Sequence, residues 1–347
     1  MFPTLSQEIH AQLFGQLGGG FGFSHTLERS GSYSFPTISD LEVTGNNITA
    51  TVYGNVRGDI EVDGPADYNL IQVFGNVLGD VENFDGWYNT IVVNGHIRGD
   101  LEIDLTRGGS FSAWSVDDIW AYDSSGFSYN FGRVDNLDLD QVDDSNGQIG
   151  SLDDGYVSGD DNGVSIFQLE DYFAVDSGNN NSISIFAADG AQIEIDDDAS
   201  NTHVTVQFGD VEVNDDGYNS QIRLGEGDDE VTVGQDTSGI TMINGGAGYD
   251  VLQVEGGETV IVDNFEFIEM NGDGQNADIF TLDGQTAGTM WIGDTQVSLS
   301  DLMSVFGEDD RFGNAVLDWN GDGSFTAIGA AEQFSFPPAE DQWSMLG

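Results

Sequence analysis

The chain has 347 residues, of which 62 are acidic and only 7 are basic, and its formal net charge is −55. A field this negative excludes nucleic acid, anionic membrane surfaces and acidic polysaccharides as partners, because like charges repel. Aromatic residues make up 11% of the chain and short apolar alternations recur along it, which excludes a disordered polymer. No apolar run is long enough to cross a membrane, and there are no cysteines to form disulfides.

Residues 1–40 differ in pattern from the rest of the chain and form a separate head. Thr4–Gln7 fits a capping box, and Ile9, Leu13 and Leu17 follow at helical spacing. We therefore predict a short helix that caps the repeats that follow; a docking element for a neighbouring subunit is the alternative. The head has no basic region followed by a continuous apolar core, so it does not match a cleaved secretory signal.

A repeat begins near Leu41. The phrase GNVRGDIEV starts at Gly54, GNVLGDVEN starts at Gly75 and GHIRGDLEI starts at Gly95, so the steps are 21 (75 − 54) and 20 (95 − 75) residues. Each repeat contains two short runs in which apolar and polar residues alternate, and this alternation predicts β-strands with one buried face. A fixed period of this length is typical of solenoid proteins.

The alternation continues as far as VLQV at 251, and the phrase GDVEV returns at Gly209. We therefore predict an all-β fold, a parallel β-solenoid of the β-roll or β-helix type over residues 41–270, with about 20 residues per coil. Residues 271–347 are predicted to form a small β-rich C-terminal cap or assembly region. The aromatic-rich residues 105–135 fit the period poorly and predict an irregular coil or a packing patch; a sugar-stacking platform is the alternative.

Aspartates recur in the turns of the repeat. Asp59, Asp80 and Asp100 are one repeat apart, and Asp210 is the equivalent residue further along the chain. Carboxylates about 4.8 Å apart repel by roughly 3.5 kcal/mol at an effective dielectric constant near 20. Two interpretations are open: these aspartates form additional calcium sites, or they are solvated turn residues.

The most informative motif lies between Leu224 and Val254. It contains two Gly-Asp turns, GEGDDEV and GGAGYDVL, whose shared glycines Gly225 and Gly246 are 21 residues apart (246 − 225). Glycine lets backbone carbonyls point into a turn, and calcium prefers carbonyl and carboxylate oxygens as ligands. The alternative is a pair of Gly-Asp hairpin turns that bind no metal. We predict that the turns stack and share calcium ions, with ligands from Gly225, Gly227, Asp228, Asp229, Gly246, Gly248 and Asp250.

These turns resemble the nonapeptide repeat of the repeats-in-toxin (RTX) family of calcium-binding β-rolls, whose five specified positions are occupied here by Gly245, Gly246, Gly248, Asp250 and Leu252. The first copy departs from the family pattern, because Leu224 stands where the family has its first glycine. The resemblance implies a secreted protein that binds several calcium ions. It also implies export by a type I route that reads an uncleaved signal within residues 271–347.

A second candidate loop lies near the C-terminus, in VLDWNGDGSFTAIG. Asp318, Asn320, Asp322 and Ser324 stand at positions 1, 3, 5 and 7 of an EF-hand-type calcium loop, whereas position 12 is Gly329 and not Glu. We predict a calcium loop with EF-hand-like geometry. The alternative is a hairpin turn that joins VLDW to SFTAI.

No catalytic motif is present. The four histidines stand in unrelated surroundings, and G-x-S-x-G and H-E-x-x-H are absent, so we predict no catalytic residue. The expected function is an extracellular, calcium-dependent structural protein, a subunit of a filament, matrix or surface layer, that folds and self-associates when calcium binds. The alternatives are a calcium-dependent adhesin that binds a cell-surface glycan and a β-helix polysaccharide lyase or epimerase, for which the chain offers few basic residues.

Overall fold

The structure is a computed structural model, and it describes residues 22–234, 240–255, 259–265, 267–270, 277–281, 289–292, 295–298, 316–319 and 325–327. The chain divides into two compact units, unit 1 (Met1–Phe167) and unit 2 (Gln168–Gly347). Each unit contains parallel strands that pair with strands one coil away, at a mean of about 19 residues per coil. The fold class expected from the repeat, an all-β parallel β-solenoid, is thereby confirmed.

Unit 1 contains the first twelve strands, and the next strand, β13 (Gly163–Asn179), contains the division between the units. The strands of unit 1 are β1 (His25–Leu27), β2 (Gly31–Phe35), β3 (Leu41–Val43), β4 (Ile48–Val52), β5 (Ile60–Val62), β6 (Leu70–Val73), β7 (Val81–Phe84), β8 (Thr90–Val93), β9 (Leu101–Asp104), β10 (Ser110–Tyr122), β11 (Ser128–Asp140) and β12 (Asn146–Val157).

Two parallel ladders run along unit 1. The first joins β1, β3, β5, β7 and β9, and the second joins β2, β4, β6 and β8. Residues whose side chains point inward, such as Ile60, Ile71, Val81 and Leu101, are at most 1% exposed, while the residues between them are partly exposed. This alternation places one core inside the coil and a polar surface outside it.

The expectation of an irregular coil at residues 105–135 is wrong. Strand β10 pairs with both β8 and β9, so one long strand covers what two short strands cover in earlier coils. Ser110 pairs with Ser128 and Ser128 pairs with Asn146, which is a regular period of 18 residues (128 − 110 and 146 − 128). Phe111, Phe127 and Phe131 are fully buried in these coils. The period shortens, and that change obscured the repeat.

Unit 2 contains the remaining fifteen strands: β14 (Ser182–Ala188), β15 (Ala191–Ser200), β16 (His203–Phe208), β17 (Val211–Asp215), β18 (Gln221–Arg223), β19 (Glu230–Val233), β20 (Ile240–Asn244), β21 (Val251–Val254), β22 (Thr259–Asp263), β23 (Phe267–Met270), β24 (Ala277–Thr281), β25 (Thr289–Ile292), β26 (Thr295–Ser298), β27 (Val316–Trp319) and β28 (Phe325–Ala327). One parallel ladder joins the odd-numbered strands β13 to β25, and the other joins the even-numbered strands β14 to β24. Strands β26 to β28 pair antiparallel.

The two predicted ends of the chain are partly described. The helix expected in the head falls on residues outside the described part of the chain, but β1 and β2 pair with β3 and β4, so residues 25–35 of the head already belong to the solenoid. Parallel pairing also continues beyond residue 270, through β24 and β25. Among the described residues, no helix has the length and apolar character needed for a membrane span.

Candidate metal-binding turns

The two Gly-Asp turns of unit 2 lie directly over one another. The N–H of Gly227 donates to the carbonyl of Ala247 at 3.0 Å, and the N–H of Ala247 donates to the carbonyl of Gly225 at 2.7 Å. A third turn precedes them, because Glu226 bridges to Phe208 as well as to Ala247. The stacking predicted from the spacing of 21 residues is therefore present, and it includes one coil more than the motif did.

The glycines of these turns are required by close approach between coils. A Cβ on Gly227 would overlap the carbonyl oxygen of Gly209, and a Cβ on Gly246 would overlap the carbonyl oxygen of Gly225. Gly246 also has a φ of +96°, a left-handed conformation that side chains disfavour. Leu224 replaces the first glycine of the motif without conflict, because its side chain is only 3% exposed and joins the core.

Two aspartates of the turns point inward and link successive coils. Asp229 is 2% exposed and Asp250 is fully buried. The N–H of Asp229 donates to Asp250 Oδ1 at 3.0 Å, and the N–H of Val211 donates to Asp229 Oδ1, also at 3.0 Å. Burial raises the pKa of Asp229 to about 6; the N–H of Val211 acts against this shift, and the carboxylates of Asp210 and Asp228 add to it.

Two further aspartates form an outward column beside the inward one. Asp210 Oδ1 accepts the N–H of Asp228 at 2.8 Å, and Asp228 Oδ1 accepts the N–H of Tyr249 at 2.8 Å. Asp210, which the repeat aligned with the aspartates of unit 1, therefore belongs to the same stack of turns as Asp228. Four carboxylates are thus collected in three consecutive turns.

The oxygens of these turns fit calcium by their chemistry. Calcium takes six to eight oxygen ligands, and backbone carbonyls together with aspartate carboxylates supply ligands of that type. Carboxylates alone do not suffice, since no group of three or more His, Cys, Asp or Glu side chains in the described part of the chain is arranged to hold a metal ion. An ion here would need carbonyl oxygens of the glycine-rich turns in addition to Asp229 and Asp250.

The aspartates of unit 1 form a similar outward column in a different kind of turn. Asp59 Oδ1 accepts the N–H of Asp80, and Asp80 Oδ1 accepts the N–H of Asp100, both at 2.9 Å. A Cβ on Gly79 would overlap Asp59 Oδ1, and a Cβ on Gly99 would overlap Asp80 Oδ1. Each Gly-Asp pair therefore has a structural reason that the sequence did not reveal: the glycine makes room for the carboxylate of the preceding coil, which caps the next amide.

The structure also brings together a column of glutamates that sequence reasoning missed. Glu42, Glu61, Glu82 and Glu102 pair directly, strand to strand, along β3, β5, β7 and β9. Burial raises the pKa of Glu82, and the charges of Glu102 and Glu61 raise it further; burial and the charge of Glu42 do the same for the pKa of Glu61. The invariant place of Glu after each Gly-Asp pair was the signal for this column.

A second missed residue is Asp215, whose side chain is 1% exposed inside unit 2. Its carboxylate accepts the hydroxyl of Ser220 at 2.7 Å, the N–H of Gly217 at 3.1 Å and the hydroxyl of Thr241 at 3.3 Å. Burial raises the pKa of Asp215 to about 6 although these donors act in the opposite direction. Nothing in its sequence context, an alternating VEVNDD run, indicated a buried acid.

The C-terminal candidate loop is described only at its borders. Asp318 lies in β27 and pairs with Asp278 on one side and with Thr326 on the other. Asn320, Asp322 and Ser324 lie outside the described residues. Trp319 pairs with Phe325, so the strands that flank the loop form the antiparallel pair of a hairpin.

No protein-family model, curated protein or solved structure matches this chain.

Proposed function

We propose that this protein is an extracellular structural protein, a subunit of a surface layer, matrix or filament, whose unit 2 binds calcium in its stacked Gly-Asp turns and needs calcium in order to fold. The observation that carries the proposal is the pair of buried carboxylates in consecutive coils, Asp229 and Asp250. The resemblance of these turns to the RTX nonapeptide supports the same proposal.

The energetic support comes from the environment of Asp229. A buried carboxylate is unfavourable by several kcal/mol unless a cation or enough hydrogen bonds compensate it. Asp229 accepts one main-chain N–H and forms no salt bridge with a described residue, and Asp210 and Asp228 add negative charge beside it. A bound cation removes this penalty.

Calcium is the cation whose ligand preferences these turns meet. The carboxylates of Asp228, Asp229 and Asp250 would hold it together with carbonyl oxygens of the glycine-rich turns, chiefly those of Gly225, Gly227, Gly246 and Gly248. Bound calcium would supply charge neutralisation and cross-linking between coils. Because the turns exist only in the folded chain, binding free energy becomes folding free energy.

The proposed location and assembly follow from the same dependence. Calcium sites of extracellular modules commonly bind in the range of about 10⁻⁴ to 10⁻³ M, so a chain of this kind would fold outside the cell and remain unfolded inside it. A net charge of −55 keeps copies apart until cations reduce it. The terminal coils of a parallel solenoid leave main-chain groups unpaired, which favours end-to-end association once the charge is reduced.

The test is circular dichroism combined with electron microscopy of the purified chain in chelator, in calcium and in magnesium. We expect the β-sheet signal and the thermal midpoint to rise with calcium and far less with magnesium, and particles to grow with calcium and shrink when chelator is added. A fold and a particle size that ignore chelation would overturn the calcium proposal. Calcium-dependent folding into a monomer that binds glycan would overturn the assembly proposal and favour the adhesin.

A further inference from the structure

One corner of unit 1 turns through a left-handed residue in every coil. Hydrogen bonds from each of these residues to the coil that follows place them in a single column. The column consists of Asn47, Tyr68, Tyr88, Gly108, Gly126, Asp144 and Asp161, with φ between +56° and +67°. Asn, Asp and Gly tolerate this conformation, whereas a bulky aromatic residue is an outlier there.

The two tyrosines are exceptions that the fold itself does not require. Neighbouring coils make the same turn with Asn47 or Gly108, and yet Tyr68 is 59% exposed and Tyr88 is 53% exposed. Their rings stack at a centroid distance of 5.2 Å and an interplanar angle of 15°. A Cβ on Gly108 would overlap the Tyr88 ring, so the next coil leaves room for this ring. Strained residues that the core does not need are commonly functional.

The adjacent column shows which chemistry this corner accepts. Trp87 is 42% exposed, and the guanidinium carbon of Arg107 lies 5.5 Å from the centroid of its ring. Arg107 forms no salt bridge with a described residue, although the chain carries 62 acidic side chains. Asp67 Oδ1 accepts the N–H of Trp87 at 2.9 Å, which holds a carboxylate beside the rings. The corner thus combines aromatic faces with negative charge.

We propose that the aromatic corner formed by Tyr68, Trp87 and Tyr88 is a docking surface for arginine side chains of a basic partner polypeptide. A guanidinium group is planar and stacks on aromatic faces, whereas the ammonium group of lysine is a compact, strongly hydrated charge. Arg107 provides the intramolecular example of this contact. The net charge of −55 attracts a basic partner over long range and repels a second copy of the chain, and this inference goes beyond the proposed calcium-dependent assembly.

The test compares labelled oligoarginine and oligolysine peptides of equal length by fluorescence anisotropy, with the full chain in calcium. Both peptides experience the same general attraction to an acidic protein, so the preference for arginine isolates the stacking. Exposed cation–π contacts are worth a factor of roughly two to five each, and we expect oligoarginine to bind roughly tenfold more tightly. Equal affinity for the two peptides would overturn the proposal.

The variant that removes the corner is Tyr68→Asn combined with Tyr88→Asn. Since Asn occupies the same backbone position at residue 47, the variant should fold with an unchanged or higher thermal midpoint and lose most of the preference for arginine. Tyr218→Asn, which removes an exposed ring in unit 2, should keep the preference. A preference that survives in the double variant would contradict the proposal. So would self-association that the double variant abolishes in the absence of peptide, because the corner would then serve a second copy.

Discussion

The main-chain N–H of Asp229 donates a hydrogen bond of 3.0 Å to the carboxylate of Asp250 in the following coil. Asp229 in turn accepts the N–H of Val211 from the preceding coil, so one inward column of acids joins three coils. The same carboxylates that hold the coils together therefore place negative charge in the interior. Whether that charge stabilises or destabilises unit 2 depends on the cation beside it.

Asp229→Asn should have opposite effects with and without calcium. The variant keeps Oδ1 as the acceptor for Val211 but removes the buried charge, so in chelator we expect it to be more stable than the parent by about 1 kcal/mol. In calcium we expect roughly tenfold weaker binding, because the ligand charge falls, and a lower thermal midpoint than that of the parent. Thermal unfolding and calcium titration by calorimetry measure both effects.

Asp143→Asn is the matched control for this variant. Asp143 is an exposed acid of unit 1 whose Oδ1 likewise accepts a main-chain N–H, that of Asp160, at 2.8 Å. It should leave calcium affinity unchanged. If Asp229→Asn shifted stability by the same amount in calcium and in chelator, the aspartate would have a purely structural role.

In chelator, the stability of unit 2 should fall as the pH rises from about 4 to about 6. The pKa values of Asp229 and Asp215 lie near 6 in the folded chain, above their ordinary value of 3.8. A carboxyl group with a raised folded pKa stabilises the fold most below its unfolded pKa, and this contribution is lost as the pH passes the folded pKa. Calcium should restore stability at neutral pH, since it binds the ionised form.

Thermal unfolding across this pH range, followed by circular dichroism, checks the pH dependence. Asp215→Asn and Asp229→Asn should each flatten the profile in chelator. A profile that rises with pH in chelator, or one that neither variant alters, would contradict the assignment of these two carboxyl groups.

Glu61→Gln and Glu82→Gln should each stabilise unit 1 at neutral pH and low salt by about 0.5 kcal/mol, because like charges directly opposite each other on paired strands are unfavourable. Added salt should diminish the gain by screening. Glu28→Gln, which changes an exposed glutamate outside the glutamate column, should have little effect. A gain that is independent of salt would argue against repulsion within the column.

Gly79→Ala should destabilise unit 1 by about 2 kcal/mol or more, because its Cβ would overlap Asp59 Oδ1. If the carboxylate is the main obstacle, the same substitution in an Asp59→Ala background should cost about 1 kcal/mol less. A double-mutant cycle by urea unfolding measures the coupling. Strict additivity would mean that the backbone of Gly58, which lies near the same position, is the dominant obstacle.

Much of the fold was readable from local patterns. The phrases at Gly54, Gly75 and Gly95 and the alternation within them predicted parallel coils, and the ladders of unit 1 have that spacing. The spacing of Gly225 and Gly246 likewise predicted stacked turns, and these turns do stack. The metal-binding role of their aspartates remains a prediction.

Other features depended on contacts that the pattern does not contain. The register of residues 105–135 was missed because the coil shortens to 18 residues when two strands join into one. The left-handed conformation of Tyr68 and Tyr88 was missed because nothing in YNL or YNT marks tyrosine for such a turn. The buried position of Asp215 was missed because alternation alone does not reveal where a strand ends.

The sequence by itself determined the fold class, the length of the coils and the place of the turns, since period and alternation are local properties of the chain. Only the tertiary structure decided that Asp229 lies under Asp250, that Asp59 caps Asp80 and that four glutamates form one column. Each of these contacts joins residues about one coil apart, and small changes in corner length, between 18 and 21 residues, decide which atoms meet.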